Sequence, residues 1–469
     1  MLEDTTDSIG SAGTQQSGHP GAGRIFNRRH FLGGAALAGL AAATTGRSGV
    51  ARAAAEPDPL ATREHYLNVY DFGARGDGRV DDTAPIQKAL DAAGQQGGNV
   101  VLLPRGDYLI AGSLSVPEYV TLQGVFRAPT NGGFAWKNAT PDSGSCLLAV
   151  GGKGKPDGEP LIGLNLNSTL FGVKIFYPEQ TISNPPVEYP WTVRKLDRNV
   201  SLVDVTILNP WQAVDFGSHH GRFYISGLFG QPLRTGLFVD KCGDATLVEN
   251  VHFEPFWRPQ IKLMEFTANE GTAFRFGRTD WQYMLNCFAI MYKIGYHFVH
   301  TPSGDPNVVL TQCGVDVGVP NSSPVSVKVD ACQPWAGISF LNGQFAGTVE
   351  VGAANAGPVK FTNCGFFWGI PPDIFATLSG SGQTTYTNCH FGSWSPQGMR
   401  EGGNAAIVLR SGRLIVSGCE FPTRAQGKRH IILERGAESA VVLGNSFHGS
   451  PQIDNKIGGR AKIGMNATG

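Results

Sequence analysis

Five segments, "QAVDFGSHH", "TGLFVDKCG", "TAFRFGRTD", "IGYHFVHTP" and "VSVKVDACQ", align so that reactive side chains fall into two columns. The first column reads Asp215, Phe238, Arg275, His297 and Lys328; the second reads Gly217, Asp240, Gly277, Val299 and Asp330. Glycoside hydrolysis commonly needs two carboxylates flanking the scissile bond. Asp215 and Asp240 are the first candidates, with Asp280 of "FGRTDW" as a substitute for either. Proton abstraction beside a uronate carboxylate needs a base, and cations that neutralise the acid. Arg275, His297 and Lys328 fit that second chemistry.

Sugar rings offer apolar faces, so aromatic side chains near these columns are candidate binding groups. "VENVHFEPFWRPQIKLMEF" breaks the regular spacing and reads as a rim insertion carrying Glu254, Trp257 and Arg258. Arg278, Trp281 and Tyr283 follow on the next segment, with Trp211 before them. "IFYPEQ" (Glu179) and "VEYPWTVR" (Tyr189, Trp191, Arg194) read as a loop pair overhanging the same face. His219-His220 has no third ligand at metal spacing. The pattern asks for no metal and no cofactor.

These residues need a scaffold that repeats. "TQCGV", "NGQF", "TNCGF", "TNCHF", "SGCEF" and "GNSF" recur every 21–30 residues, each after alternating apolar positions. Period-2 alternation marks a strand, and Asn or Gly at a fixed offset breaks it. One strand-and-turn unit per repeat describes a solenoid of β-coils. Cys313, Cys364, Cys389 and Cys419 then stack as buried thiols rather than disulfides. Phe366, Phe391, Phe421 and Phe447 form a parallel ring stack. In this register Val214/Phe216, Leu237/Val239, Phe274/Phe276, Tyr296/Phe298 and Val327/Val329 point inward, and the first column points out. Coils lie about 4.8 Å apart and two strand residues span about 6.7 Å. Asp215 and Asp240 would then be roughly 8 Å apart, inside the inverting window.

A solenoid needs capped ends. "DDTAPIQKALDAA" predicts a helix, with Asp82 or Thr83 as N-cap, Pro85 in the first turn and Ile86, Leu90 and Ala93 on one face. Asp77, Asp81 and Asp82 are expected to be turn and capping acids.

The 469 residues carry 38 Lys+Arg against 38 Asp+Glu, so no bulk charge points to nucleic acid. Arg28-Arg29, the apolar "FLGGAALAGLAAA" and "ARAAAEP" have the order of an export signal. The apolar run is about 13 residues, short of the roughly 20 that span a bilayer. Residues 1–55 are expected to be a polar leader plus a signal resembling the twin-arginine type, and residues 56–469 one domain. The mature protein would be periplasmic or extracellular, with no membrane partner after cleavage.

"YDFGARGDGRVDDTAPIQKALDAA…GGNVVLLPRGDYLI" resembles the N-terminal signature of the pectate-lyase-like superfamily. The resemblance implies an all-β fold, a single-stranded right-handed parallel β-helix with an N-terminal capping helix, the cap and first coil together taking residues 56–110. It also implies a carbohydrate ligand; trimers of such solenoids occur in that superfamily, so a homo-oligomer is allowed. The Asn-Thr-Asp, Gly-His-Gly and Arg-Ile-Lys motifs of polygalacturonases and the Asp-Pro-His-Glu motif of alginate epimerases are missing, and the only Asp-Asp, Asp81-Asp82, sits in the cap. No catalytic residue therefore carries over. The expectation is an exported glycoside hydrolase using an Asp pair, with a uronate-directed polysaccharide lyase second. A non-catalytic carbohydrate-binding or structural β-helix is third.

Overall fold

A strand with alternate apolar residues buries one face only if its neighbours present the same pattern. Here the neighbours are successive coils of one chain. Thirteen strands form an all-parallel sheet, from Leu114–Val116 to Ile453–Asn455, and a 27-stranded sheet supplies the remaining walls of the coils. The fold is a parallel β-helix. The computed structural model describes residues 66–127, 144–180, 185–255, 261–316, 325–367, 374–392, 405–422 and 428–469, all within the unit Arg63–Gly469. The export-signal segment lies outside the described residues.

Seven consecutive strands of the thirteen position the site. They are β1 (Trp191–Lys195), β2 (Gln212–Phe216), β3 (Thr235–Val239), β4 (Thr272–Phe276), β5 (Ile294–Phe298), β6 (Val325–Val329) and β7 (Thr348–Val351). Val193, Val214, Leu237, Phe274, Tyr296, Val327 and Val349 pair in one register, and all are buried. Phe216, Val239, Phe276, Phe298, Val329 and Val351 make a second buried column. Each such side chain contributes about 1.5–3 kcal/mol by leaving water. A one-residue slip would turn every one of them outward, so the apolar columns fix the register.

The opposite wall shows the expected ladders. Asn286, Asn342, Asn363 and Asn388 hold left-handed backbone at φ 52–54°, between two strands of each coil. Asn tolerates that region, and Gly418 and Gly444 take the same place on later coils. On five coils the residue after the kink is an inward cysteine: Cys287, Cys313 (after Gln312, φ 54°), Cys364, Cys389 and Cys419 are buried, and all eight cysteines are free thiols. Phe366, Phe391, Phe421 and Phe447 stack with centroids 4.8–5.0 Å apart. Such pairs add about 0.5–1.5 kcal/mol beyond burial.

Helix α1 (Thr83–Gln95) covers the first coil with Ile86, Ala89, Leu90 and Ala93, all fully buried. The acidic loop before it is structural. Asp82, fully buried, accepts backbone N–H groups from Arg75 (2.7 Å) and Gly76 (2.9 Å), and Asp77 accepts those of Arg79 (2.9 Å) and Val80 (3.0 Å). Asp81 accepts the Thr83 N–H at 3.0 Å. A second helix, α2 (Ile261–Glu270), fills part of the insertion expected to be only a rim loop. Its Phe266 packs on Trp211 at 5.4 Å, so the insertion is anchored to the coil.

Candidate functional site

Outward residues on adjacent coils stand side by side because the inward ones are locked. Arg194, Asp215, Phe238, Arg275, His297, Lys328 and Glu350 are direct neighbours on β1 to β7. The predicted first column is thus a continuous outer stripe. It forms the floor of a groove of ≈ 670 Å³, which Trp191, Trp211, Asp157, Glu188, Arg234, Glu270 and Lys293 also line.

Apart from the Arg234–Glu270 pair, the groove lining is divided by charge. Toward the N-terminal coils lie Asp157, Glu188 and Asp215; toward the C-terminal coils lie Arg275, Lys293, His297 and Lys328. Asp215 is only 4% exposed and fully engaged. It accepts from Arg194 Nε at 2.9 Å, from the Gly217 N–H at 2.9 Å and, by a short bond, from the Ser218 hydroxyl. Arg275 is exposed, with its guanidinium carbon 5.3 Å from the Phe238 ring centroid, a cation–π contact. Among the described residues it forms no ion pair. His297 Nε2 shares a 2.7 Å hydrogen bond with Asp330 Oδ2, and Lys328 Nζ lies 4.0 Å from Asp330 Oδ1. That bond to His297, aided by the charges of Lys328 and Arg275, holds the Asp330 carboxyl below its ordinary value against the opposing effect of burial. One carboxylate therefore ties the imidazole in place between two cations.

The other predicted residues fall elsewhere. Asp240 is two residues past Phe238, beyond the end of β3, and does not line the groove. It is 5% exposed and accepts from the Arg278 N–H (2.6 Å) and the Thr301 hydroxyl (3.0 Å). The expected one-coil, two-residue offset from Asp215 is present, but the Asp240 carboxylate is turned into the following turns. Asp280, Arg278 and Trp281 line a separate cleft of ≈ 660 Å³ at the far ends of β4 to β6. Asp280 there is ion-paired with Arg278 and accepts from Gln333 Nε2 at 2.6 Å. Tyr283 is exposed on the strand Gln282–Leu285, in the other sheet. Glu254 lies 3.2 Å from His252. Glu179 pairs with Lys153 at 3.0 Å on the surface. Trp191 does line the groove, but within β1; of the segment expected to overhang as a loop, Trp191 to Arg194 belong to the sheet, only the residues before them are irregular, and Tyr189 is buried. Trp257 and Arg258 lie outside the described residues.

Sequence reasoning missed Arg234, Lys293 and Glu270. Arg234 and Lys293 stand immediately before β3 and β5, so extending the alignment one residue upstream would have found them. Arg234 is paired with Glu270 of α2 at 3.2 Å, which leaves Lys293 as the wall cation without an ion pair among the described residues. No group of His, Cys, Asp or Glu among the described residues is arranged to hold a metal ion. No helix among them is long and apolar enough to cross a membrane.

Residues 66–135 match the family described as rhamnogalacturonase A/epimerase, pectate lyase-like. Alginate lyase 7 of Azotobacter vinelandii is 58% identical over 45 residues, 10% of this chain and 5% of that protein. A mannuronan C5-epimerase of the same organism is 60% identical over 46 residues, 10% of this chain and 2% of the epimerase. The matches thus span about a twentieth or less of these relatives. The pre-mature gene product 12 of bacteriophage phi29 superposes with a TM-score of 0.51 at 13% identity, over 86% of this chain and 55% of that one. The chain has a pectate-lyase-like N-terminal segment on a parallel β-helix, the fold it shares with that phage protein.

Proposed function

We propose that the groove binds a uronate-bearing polysaccharide and that the protein cleaves it by β-elimination. The observation that carries this reading is the column Arg275–His297–Lys328, with Asp330 bonded to the imidazole. With Nε2–H donating to Asp330, Nδ1 keeps a lone pair that can accept the proton from the sugar carbon beside the carboxylate. The resulting enolate carries charge on the uronate oxygens, and Arg275 and Lys328 stand one coil to either side, about 4.8 Å away. Fixed cations at the place where charge develops lower the barrier most. The electron pair then expels the glycosidic oxygen at the β-carbon, which takes up a proton from water, leaving a carbon–carbon double bond conjugated with the carboxylate. The names of the two curated relatives, a lyase and an epimerase of uronate polymers, fit the same proton abstraction. Action on such an external polymer fits the export expected from the twin-arginine-like segment.

Hydrolysis by a carboxylate pair is the second reading, because Asp215 does line the groove. Its three hydrogen bonds count against it, since they leave Asp215 held rather than poised. Incubation of the purified protein with alginate and with polygalacturonate separates the two. Elimination gives a rising ultraviolet absorbance from the conjugated product, and His297→Ala lowers it by about 10²–10⁴-fold. New reducing ends without absorbance, or turnover confined to neutral glycans, would overturn the proposal.

A further inference from the structure

The cleft at the other ends of β4 to β6 shares no lining residue with the groove. Two indoles stand in it: Trp281 is 63% exposed and Trp335 is 86% exposed. Neither contributes its ring to the core. Trp281 also holds a left-handed backbone, φ 56°, where Gly and, after it, Asn are the residues most often found among the described residues. A bulky residue there is strained, and such strain gathers at functional positions. The turn would be easier with Asn or Gly, so the fold itself gives no reason for a tryptophan.

Polar groups in the cleft are pre-set. Gln333 Nε2 donates to Asp280 Oδ1 (2.6 Å), to the Thr279 carbonyl (3.0 Å) and to the Asp305 carbonyl (3.2 Å). Arg278 pairs with Asp280, and His300 lies 2.8 Å from Asp305. Arg278 and Asp280 compensate each other within the cleft, whereas Arg275 and Lys293 of the groove form no ion pair among the described residues. What remains is a pair of flat apolar platforms beside self-neutralised hydrogen-bonding groups. That combination suits a ring with an apolar C–H face and a rim of uncharged hydroxyls.

We infer that this cleft is a second, non-catalytic glycan site, which holds neutral sugar residues against Trp281 and Trp335. It would tether a polysaccharide while the groove acts, and its occupancy does not depend on what the groove does.

The test is electrophoretic retardation of the purified protein in native gels containing a soluble β-1,3-glucan, a galactomannan or alginate. The wild type is expected to be retarded by at least one of the two neutral polymers. Trp335→Ala should remove at least 10-fold of that affinity, and Trp281→Ala should do the same. Trp335 is exposed, so its loss leaves folding intact; an unchanged circular dichroism spectrum and melting curve confirm that. Arg275→Ala should leave the retardation as it is. Absence of retardation by both neutral polymers overturns the inference. So does retardation that survives Trp335→Ala, retardation lost in Arg275→Ala, or a Trp335-dependent dimer in sedimentation.

Discussion

Replacing Asp215 by Asn separates a structural carboxylate from a reacting one. Asp215 takes three hydrogen bonds on two oxygens, and Arg194 is its only ion-pair partner among the described residues. Asn keeps the shape and can still accept from the Gly217 N–H. Its amide nitrogen then meets Arg194 Nε, donor against donor, and the guanidinium loses its counter-charge. Breaking a buried pair from one side costs about 3–5 kcal/mol. The Arg194 side chain is 21% exposed, and water offsets part of that loss, so about 2–3 kcal/mol is expected. The coils of a solenoid contact only their neighbours, so the loss stays local. Hydrogen exchange in β1 and β2 should speed up roughly 30- to 160-fold, at 1.36 kcal/mol per tenfold. The distant strand Arg429–Leu433 should not change. Turnover of alginate or polygalacturonate by the folded variant should fall by less than about tenfold, since a held carboxylate only positions the floor. Unchanged exchange together with a loss of turnover of about 100-fold or more would refute this. Asp215 would then be a reacting group, and the cation column would lose its claim to the chemistry.

Lys195 is fully buried, donates to the Gly221 carbonyl at 2.8 Å, and burial lowers its pKa from 10.5 to about 8. Between those two values the unfolded chain binds more protons than the folded one, so this group's contribution to stability rises with pH. Relative to Lys195→Met, the wild type should gain about 3 kcal/mol between pH 7 and pH 10.5; parallel pH–stability curves for the two proteins would contradict it. Asn388 holds φ 52°, so Asn388→Ala should lower stability by about 1–2 kcal/mol and Asn388→Gly by only a few tenths, read from urea midpoints. The eight cysteines are buried and free, and burial pushes Cys332 up to about 12. A thiol reagent at pH 8 should therefore label none of them in the native protein and all of them in denaturant; fast labelling of the folded chain would count against the ladder.

The coil was legible because two signals coincide in it. Inward residues such as Phe274 and Phe276 alternate within a strand, and the chain kinks at a recurring Asn or Gly before the next strand begins. Together they gave the thiol ladder, the Phe366-to-Phe447 stack and the order Asp215, Phe238, Arg275, His297, Lys328. The α2 helix also has a signal in the sequence, masked by the insertion around it. Leu263, Phe266 and Thr267 are buried at i, i+3 and i+4, between Pro259 and Gly271, which is helix spacing inside a segment whose length suggested only an insertion.

The acid pair shows where such reading stops. Alternation fixes which way a side chain points only while the backbone is a strand. Asp215, Arg275, His297 and Lys328 lie inside β2, β4, β5 and β6, and all four reach the groove. Asp240 and Asp280 lie past strand ends, where the chain is already turning. Asp240 keeps its offset from Asp215, but the direction of both acids is set by partners the sequence does not announce: the Arg278 N–H and Thr301 for one, Arg278 and Gln333 for the other. Ion pairing is hidden in the same way. Nothing in the order of residues distinguishes Asp215, bound by Arg194 of the preceding coil, from a free carboxylate. The strand-interior cations therefore bear more weight than the acids. Their spacing is set by the sheet and their outward direction by the buried columns beneath them, so a substrate anion would meet Arg275, His297 and Lys328 whichever way the neighbouring turns settle.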